Sequence, residues 1–181
     1  MSGVALEVQF PYSRLILNGK KSIETRSYPL PDDLRGARIL LCESLPSKDG
    51  ASNLGDSIAA SRDGLSLVGE MFISRFKEYV TEAEWESDRG EHMVPKESMY
   101  EWAPTESGRR YGWIIDHVVP YEVALPVPAM RRRLEILHLT LSSSDNFNQK
   151  KTNALNRFRS IFEFDLASDA TIISRVNLDP L

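Results

Sequence analysis

The spacing of apolar and polar residues predicts a chain built mainly from short strands. Six segments carry apolar residues at strand-like spacing or in short apolar runs: residues 4–8, 37–43, 65–76, 111–118, 121–127 and 134–141. Gly69 is expected to form a bulge in the third of them, and residues 171–176 to form an edge strand. Strands of this number, with small helices inserted between them, favour a mixed β-barrel over alternating βαβ units.

Three segments have helical patterns. Residues 11–18 begin with proline and end at Asn18-Gly19, and residues 81–89 begin with the N-cap residue Thr81 and end at Gly90. Residues 150–162 place apolar side chains on one helical face. The polar stretch 44–64 is predicted to be a long loop with a helical turn near residues 56–60.

Composition narrows the class of protein. At 181 residues, with 41% hydrophobic and 27% charged residues, the chain suffices for one domain with extensions, and we expect a monomer. Because Cys42 is its single cysteine, the chain cannot form an internal disulfide. The position of Cys42 in an apolar run suggests a reduced, buried thiol, which favours an intracellular location. No apolar stretch is long enough for a membrane span. The net charge of −4 means that any contact with nucleic acid depends on a local patch.

The segment after the first predicted helix has the closest spacing of candidate functional side chains, with Lys21, Glu24 and Arg26 within six residues. In a cleft, the arginine would hold the carboxylate bidentately, and burial would lower the pKa of the lysine. The alternative is a surface ion pair on a strand edge, which contributes little. In a regular strand, Lys21 faces away from Glu24 and Arg26, so a shared site requires a bulge near residues 19–22.

Four segments in this order resemble the ASCH (activating signal cointegrator homology) domain of the PUA-like superfamily: PYSRLILNGKKSIETR, RGARILLCES, SLVGEMFISRFKEY and YGWIIDHVVPYE. The eukaryotic endothelium-and-lymphocyte-associated ASCH proteins are the branch most similar. The family's opening pattern falls on Pro11, Tyr12, Gly19, Lys21, Ile23, Glu24 and Arg26. The glutamine that usually precedes the proline is Phe10 here, with Gln9 one place earlier.

The resemblance implies an α+β fold, a PUA-like mixed β-barrel of about six strands with short helices inserted around a cleft. Residues 1–141 would form this domain. Residues 142–181 would be a C-terminal extension, with one helix packing on or beside the barrel.

The resemblance also implies a function, because ASCH domains have been proposed to bind RNA. We therefore expect binding of RNA or a modified nucleoside in the cleft. Some small bacterial members are amidohydrolases that deacylate N-acetylated cytidine, so the alternative is an enzyme with Lys21 and Glu24 as catalytic residues. Those enzymes have a threonine where this chain has Glu24. They also draw a glutamate from a region that corresponds here to Asp88 or Glu91. A non-catalytic protein-interaction module is a third possibility.

Further ligand contacts are predicted from residue type. Tyr12 and Trp113 are candidates for stacking on a base, with core packing as the alternative for each. Lys20, beside Lys21, is a candidate contact that is also expected to be solvated. Three arginines are candidates for neutralising phosphates, with a solvated surface as the alternative: Arg131, Arg132 and Arg133. The three histidines lack metal-ligand spacing, so neither a metal nor a cofactor is expected.

Overall fold

Eight strands form one mixed sheet in the computed structural model, which describes residues 2–45, 57–58, 64–98, 100–102, 110–132 and 161–165. The strands are β1 (Ser2–Gln9), β2 (Ile23–Arg26), β3 (Arg38–Ser44), β4 (Ser57–Ile58), β5 (Leu65–Tyr79), β6 (Arg110–Leu125), β7 (Met130–Arg132) and β8 (Ile161–Asp165). Their order in the sheet is β2-β6-β5-β3-β1-β8-β7-β4. Only the β1–β3 pair is parallel among these described strands.

The helices in the described part of the chain are short: α1 (Tyr12–Leu17), α2 (Glu82–Ser87), α3 (Arg89–His92) and one 3₁₀ turn (Asp32–Leu34). Six of the strands have four or more residues, which confirms the predicted α+β class with about six strands and short inserted helices. No helix in the described ranges is both long and apolar enough to cross a membrane.

Bulges in the two longest strands curl the sheet into a half-barrel. The β5–β6 register shifts between Leu67 and Gly69 and again on both sides of Ile73, and such shifts bend a strand. The bulge predicted at Gly69 is therefore confirmed. A Cβ atom at Gly69 would lie 2.7 Å from Leu17 Cδ2, so α1 packs directly on this point of the sheet.

Two of the predicted strands are one strand in the structure, and it runs through Pro120. The predicted segments 111–118 and 121–127 form the single strand β6, because Pro120 stands opposite Gly69 where the ladder is already irregular. The predicted helical turn at 56–60 is also wrong over Ser57–Ile58, which pair with β7.

The C-terminal part of the chain contributes a strand. Ile161 and Phe162, predicted to end a helix, instead lie in β8, which pairs with β1 and buries both side chains in the core. Residues 150–160, 134–141 and 171–176, for which a helix and two strands are predicted, lie outside the described residues. The boundary at residue 141 stays a prediction.

The sheet buries a different cluster on each face. Leu6, Leu41 and Trp113 belong to one cluster, on which Ile16 of α1 also packs, while Ala5 and Cys42 belong to the other. A third cluster, of Tyr79, Trp85 and Val94, lies under residues 81–98 and 100–102, here called the helical insert.

Local signals explain most helix ends. Pro11 and Asn18 flank α1 as predicted, and Gly19 follows with φ of 73°, a conformation that suits glycine. Thr81 caps α2 as predicted, and the structure adds a reciprocal capping box with Glu84. Gly90 does not end the helical segment, however. The break comes at Asp88, and Met93 in the left-handed region ends α3.

Candidate functional site

The charged row, as we call it here, consists of Lys21, Glu24 and Arg26. Lys21 can join the other two because it precedes strand β2. Glycine at position 19 turns the chain, Lys21 N donates to Leu15 O at 2.9 Å, and β2 begins only at Ile23. Strand alternation therefore does not apply to Lys21, and no bulge is needed. Its Nζ lies 3.4 Å from Glu24 Oε2, and the two side chains are only 2% and 7% exposed. The alternative of a surface ion pair is wrong.

The Lys21 ammonium is bound by three oxygen atoms. Nζ donates to Ile23 O at 2.8 Å and to His92 O at 2.6 Å, and the third partner is the Glu24 carboxylate. An ammonium has three protons, so these acceptors match its donors. Burial lowers the pKa of Lys21 and Arg26 adds to this effect, while Glu24 opposes both. The lysine thus joins β2 to the helical insert through His92.

Arg26 ties the charged row to β1, which is not a hydrogen-bonded neighbour of β2 in the sheet. Its Nη2 lies 2.9 Å from Glu24 Oε1 and donates to Glu7 O at 2.9 Å. The β1–β8 pairing ends at Leu6, and the Glu7 carbonyl that binds Arg26 belongs to the first residue of β1 beyond that pairing. Arg26 Nε is buried and has no hydrogen-bond partner among the residues that the structure describes. The guanidinium is therefore both a structural bridge and an unfilled donor.

Two tyrosines stand beside this row. Lys21 Nζ lies 5.9 Å from the centre of the Tyr12 ring, and burial, followed by the Glu24 charge, raises the pKa of Tyr12. The Tyr100 ring meets Tyr12 edge-on, with centroids 6.3 Å apart and planes at 82°. Tyr100 Oη donates to Gln9 Oε1 at 3.1 Å. Both tyrosines are half-buried.

Tyr100 is absent from the residues identified by sequence. It lies beyond α3, in a stretch without apolar periodicity, so only its residue type could have drawn attention. Gln9 lies at the site, although the glutamine of the family pattern would fall at position 10, where this chain has Phe10. Strand β1 ends at Gln9, which places its side chain beside the helical insert.

Trp113 does not offer a stacking surface. It is fully buried opposite Glu24 in the β2–β6 ladder, its Nε1 donates to Tyr28 O at 3.2 Å, and its ring meets that of Tyr28 edge-on. The core-packing alternative therefore describes Trp113. Lys20 is exposed, as expected of a solvated residue. Of the predicted phosphate contacts, Arg131 and Arg132 lie in β7, where the structure describes the backbone alone, and Arg133 lies outside the described residues.

The two acidic candidates of the helical insert differ in position. Asp88 accepts a hydrogen bond from Tyr79 Oη at 2.7 Å and pairs with Lys77, so its carboxylate is used away from Lys21. Glu91 is exposed at the edge of the site, where its main-chain oxygen accepts from Ser22 N at 3.1 Å. Neither carboxylate contacts Lys21.

His92 is held as a neutral ring inside the helical insert. Nδ1 accepts from Val94 N at 3.0 Å, so the proton is on Nε2, which lies 3.1 Å from the acceptor Trp85 O. Its ring lies against Trp85 with centroids 4.1 Å apart. Burial lowers the pKa of His92, with smaller contributions of the same sign from Lys21 and Arg89. No cluster of three or more metal-binding side chains occurs within the described ranges.

Solved structures of the ASCH protein from Zymomonas mobilis are similar to this chain. The unmutated protein is 15% identical, with 84% of this chain and 92% of that chain covered and a TM-score of 0.47. Two single-site mutants are 16% and 17% identical, cover 70% of this chain and 73% and 75% of theirs, and have TM-scores of 0.47 and 0.46. No protein-family model and no curated protein matches the chain. These neighbours carry the family name that the sequence motif resembles, and the closer likeness to the eukaryotic branch stays a prediction.

Replacing Lys21 by methionine is expected to destabilise the fold by about 3–5 kcal/mol, because Glu24 and two main-chain oxygens lose a buried partner. Urea unfolding at neutral pH measures the loss. Lys20→Met, at the exposed neighbouring position, should stay within about 0.5 kcal/mol of the wild type. Equal effects of the two substitutions would contradict the structural role of the Lys21 ammonium.

His92 should make the fold sensitive to acid. Because the folded pKa lies below the unfolded value of about 6.5, the unfolded chain binds more protons below that pH. The free energy of unfolding is therefore expected to fall as pH drops from about 6.5 toward the lower folded pKa. His92→Gln should flatten this dependence, whereas His117→Gln, at an exposed position on β6, should keep it. Parallel profiles for wild type and His92→Gln would contradict the assignment.

Proposed function

We propose that this protein binds a modified nucleoside, free or within RNA, at the site formed by Tyr12, Lys21, Glu24 and Arg26. The observation that supports this most is the buried row of alternating charges beside a half-exposed aromatic ring. Burying such charges is unfavourable, and ionisable groups in environments that shift their pKa values cluster at functional sites. The resemblance of the opening motif to ASCH domains supports the same choice.

The residues of the row have different roles in this proposal. Lys21 and Glu24 are almost fully buried, so they hold the site in shape. Arg26 is 16% exposed, so part of its side chain is accessible to a ligand, while its buried Nε–H has no acceptor among the described residues. Tyr12 offers a ring on which a base can stack. Arg26 and Tyr12 are therefore the proposed ligand contacts, with Lys21 and Glu24 as positioning residues.

Titration of the isotopically labelled protein with cytidine, N-acetylcytidine and short oligonucleotides tests the proposal by NMR. We expect chemical-shift changes at Tyr12 and over residues 19–26. Loss of the charged hydrogen bonds in Arg26→Gln should weaken binding by about tenfold or more, since such bonds contribute about 1.5–3 kcal/mol. Arg75→Gln, at an exposed arginine of β5, is the matched control and should bind as the wild type does. The proposal fails if none of these probes perturbs residues 19–26.

An amidohydrolase acting on an N-acylated cytidine is the alternative function. One observation favours it: burial lowers the pKa of Lys21, even though the Glu24 carboxylate, 3.4 Å from its Nζ, opposes this shift. In such a reaction water attacks the amide carbonyl, and the products are acetate and the free amine. Lys21 would have to give up a proton and turn its lone pair toward that water. Its three present acceptors oppose this step, which is why binding is the first choice.

The enzymatic alternative predicts time-dependent release of acetate from N-acetylcytidine, measured by a coupled acetate assay. Lys21→Ala should abolish the release, because Lys21 is the base in this alternative. Lys20→Ala should leave the rate unchanged, since that side chain is exposed. Binding of N-acetylcytidine without turnover at high protein concentration would count against the enzyme and favour the binding function.

A further inference from the structure

We propose that Tyr100 is a ligand-contacting residue which, together with Tyr12, selects a flat and uncharged base. This inference rests on the proposed function and assigns the site a narrower class of ligand. Tyr100 comes from the helical insert, whereas the other contacts come from the segment that follows β1. The site is thus built from two parts of the chain that are far apart in sequence.

The two tyrosine rings form a corner. Their planes meet at 82° with centroids 6.3 Å apart, so a third flat ring can lie parallel to one and edge-on to the other. Each ring is half-buried, which leaves part of it accessible. Tyr100 also packs against the cluster of Tyr79, Trp85 and Val94, so its position is set by the core of the insert.

Hydrogen bonding orients Tyr100 toward the charged row. Its hydroxyl donates to Gln9 at the end of β1, and the Glu7 carbonyl, two residues earlier on the same strand, accepts from Arg26. After burial, the largest influence on the pKa of Tyr100 is Tyr12, followed by Arg26 and Glu7. Tyr100 therefore faces the same space as Tyr12 and Arg26.

The charges around this space leave no excess of positive charge. Lys21 and Arg26 are cationic, while the acidic groups are Glu24, the buried Glu7 and, at the edge, Glu91. A phosphate would meet these carboxylates without a compensating excess of positive charge. A neutral base can accept hydrogen bonds from Arg26 and stack on a tyrosine without this penalty. The site thus favours the base of a nucleoside over its phosphate.

Isothermal titration of the full chain with cytidine, N-acetylcytidine and their 5′-monophosphates tests the inference at physiological salt. Tyr100→Ala should weaken binding of the nucleosides by about 5- to 150-fold, the range that base–aromatic stacking supports. Tyr100→Phe keeps the ring and loses the bond to Gln9, so a loss of about two- to tenfold is expected. Each 5′-monophosphate should bind no tighter than its nucleoside.

Two further variants separate binding from folding. Tyr100→Leu preserves apolar contact with the insert while removing the aromatic ring, and it should lose affinity as Tyr100→Ala does even if its melting temperature stays near that of the wild type. Tyr121→Phe is the matched control, because its hydroxyl donates to Glu70 elsewhere on the sheet, and it should bind as the wild type does.

Three results overturn the inference, and they are distinguishable. If Tyr100→Ala and Tyr100→Leu bind like the wild type while Arg26→Gln does not, Tyr100 is no ligand contact and the proposed function stands. If a 5′-monophosphate binds tenfold tighter than its nucleoside, the preference for an uncharged base is wrong. If the wild type binds none of the four probes, the proposed function itself falls, and this inference falls with it.

Discussion

A buried ammonium bound by three acceptors, two from β2 and one from the helical insert, is the constraint that organises this protein. Lys21 binds a main-chain oxygen of β2, a main-chain oxygen of the helical insert and the Glu24 carboxylate. Transfer of a charge from water to the interior is unfavourable by several kcal/mol, so this ion is tolerated only while all three acceptors are present. The Lys21 side chain consequently fixes β2 relative to α3, and its main-chain N–H, which donates to Leu15 O, adds α1 to this unit.

The site has a buried layer and an accessible layer. Lys21 and Glu24 form the buried layer, with side chains only 2% and 7% exposed. Arg26 and the two tyrosines lie in front and are only partly covered. The buried groups hold the accessible groups in position through charged hydrogen bonds. These bonds are strong because the surroundings are less polar than water and solvent does not screen them. The same rigidity suits recognition of a ligand better than proton transfer by Lys21.

Local signals made much of the fold and part of the site predictable. Proline, glycine and charge spacing located α1 and the Lys21, Glu24 and Arg26 row, and alternation located most strands. Features that depend on pairing with residues far away in the sequence could not be predicted from local patterns. Pro120 lies inside a strand opposite Gly69, where the ladder is irregular, and Ile161 lies in a strand that pairs with β1. Tyr100 joins the site through packing of the insert, for which the sequence has no local pattern.

The pairing of β1 with β8 has a consequence for synthesis of the chain. Strand β1 is made well before its partner in the ladder, since Ser2 pairs with Asp165. One edge of β1 must therefore wait until residues 161–165 have left the ribosome. At about 5–20 residues per second this delay is on the order of ten seconds, during which the apolar edge can pair with other chains. The β1–β8 ladder thus forms only after residues 161–165 emerge, and until then that edge of β1 is open to aggregation.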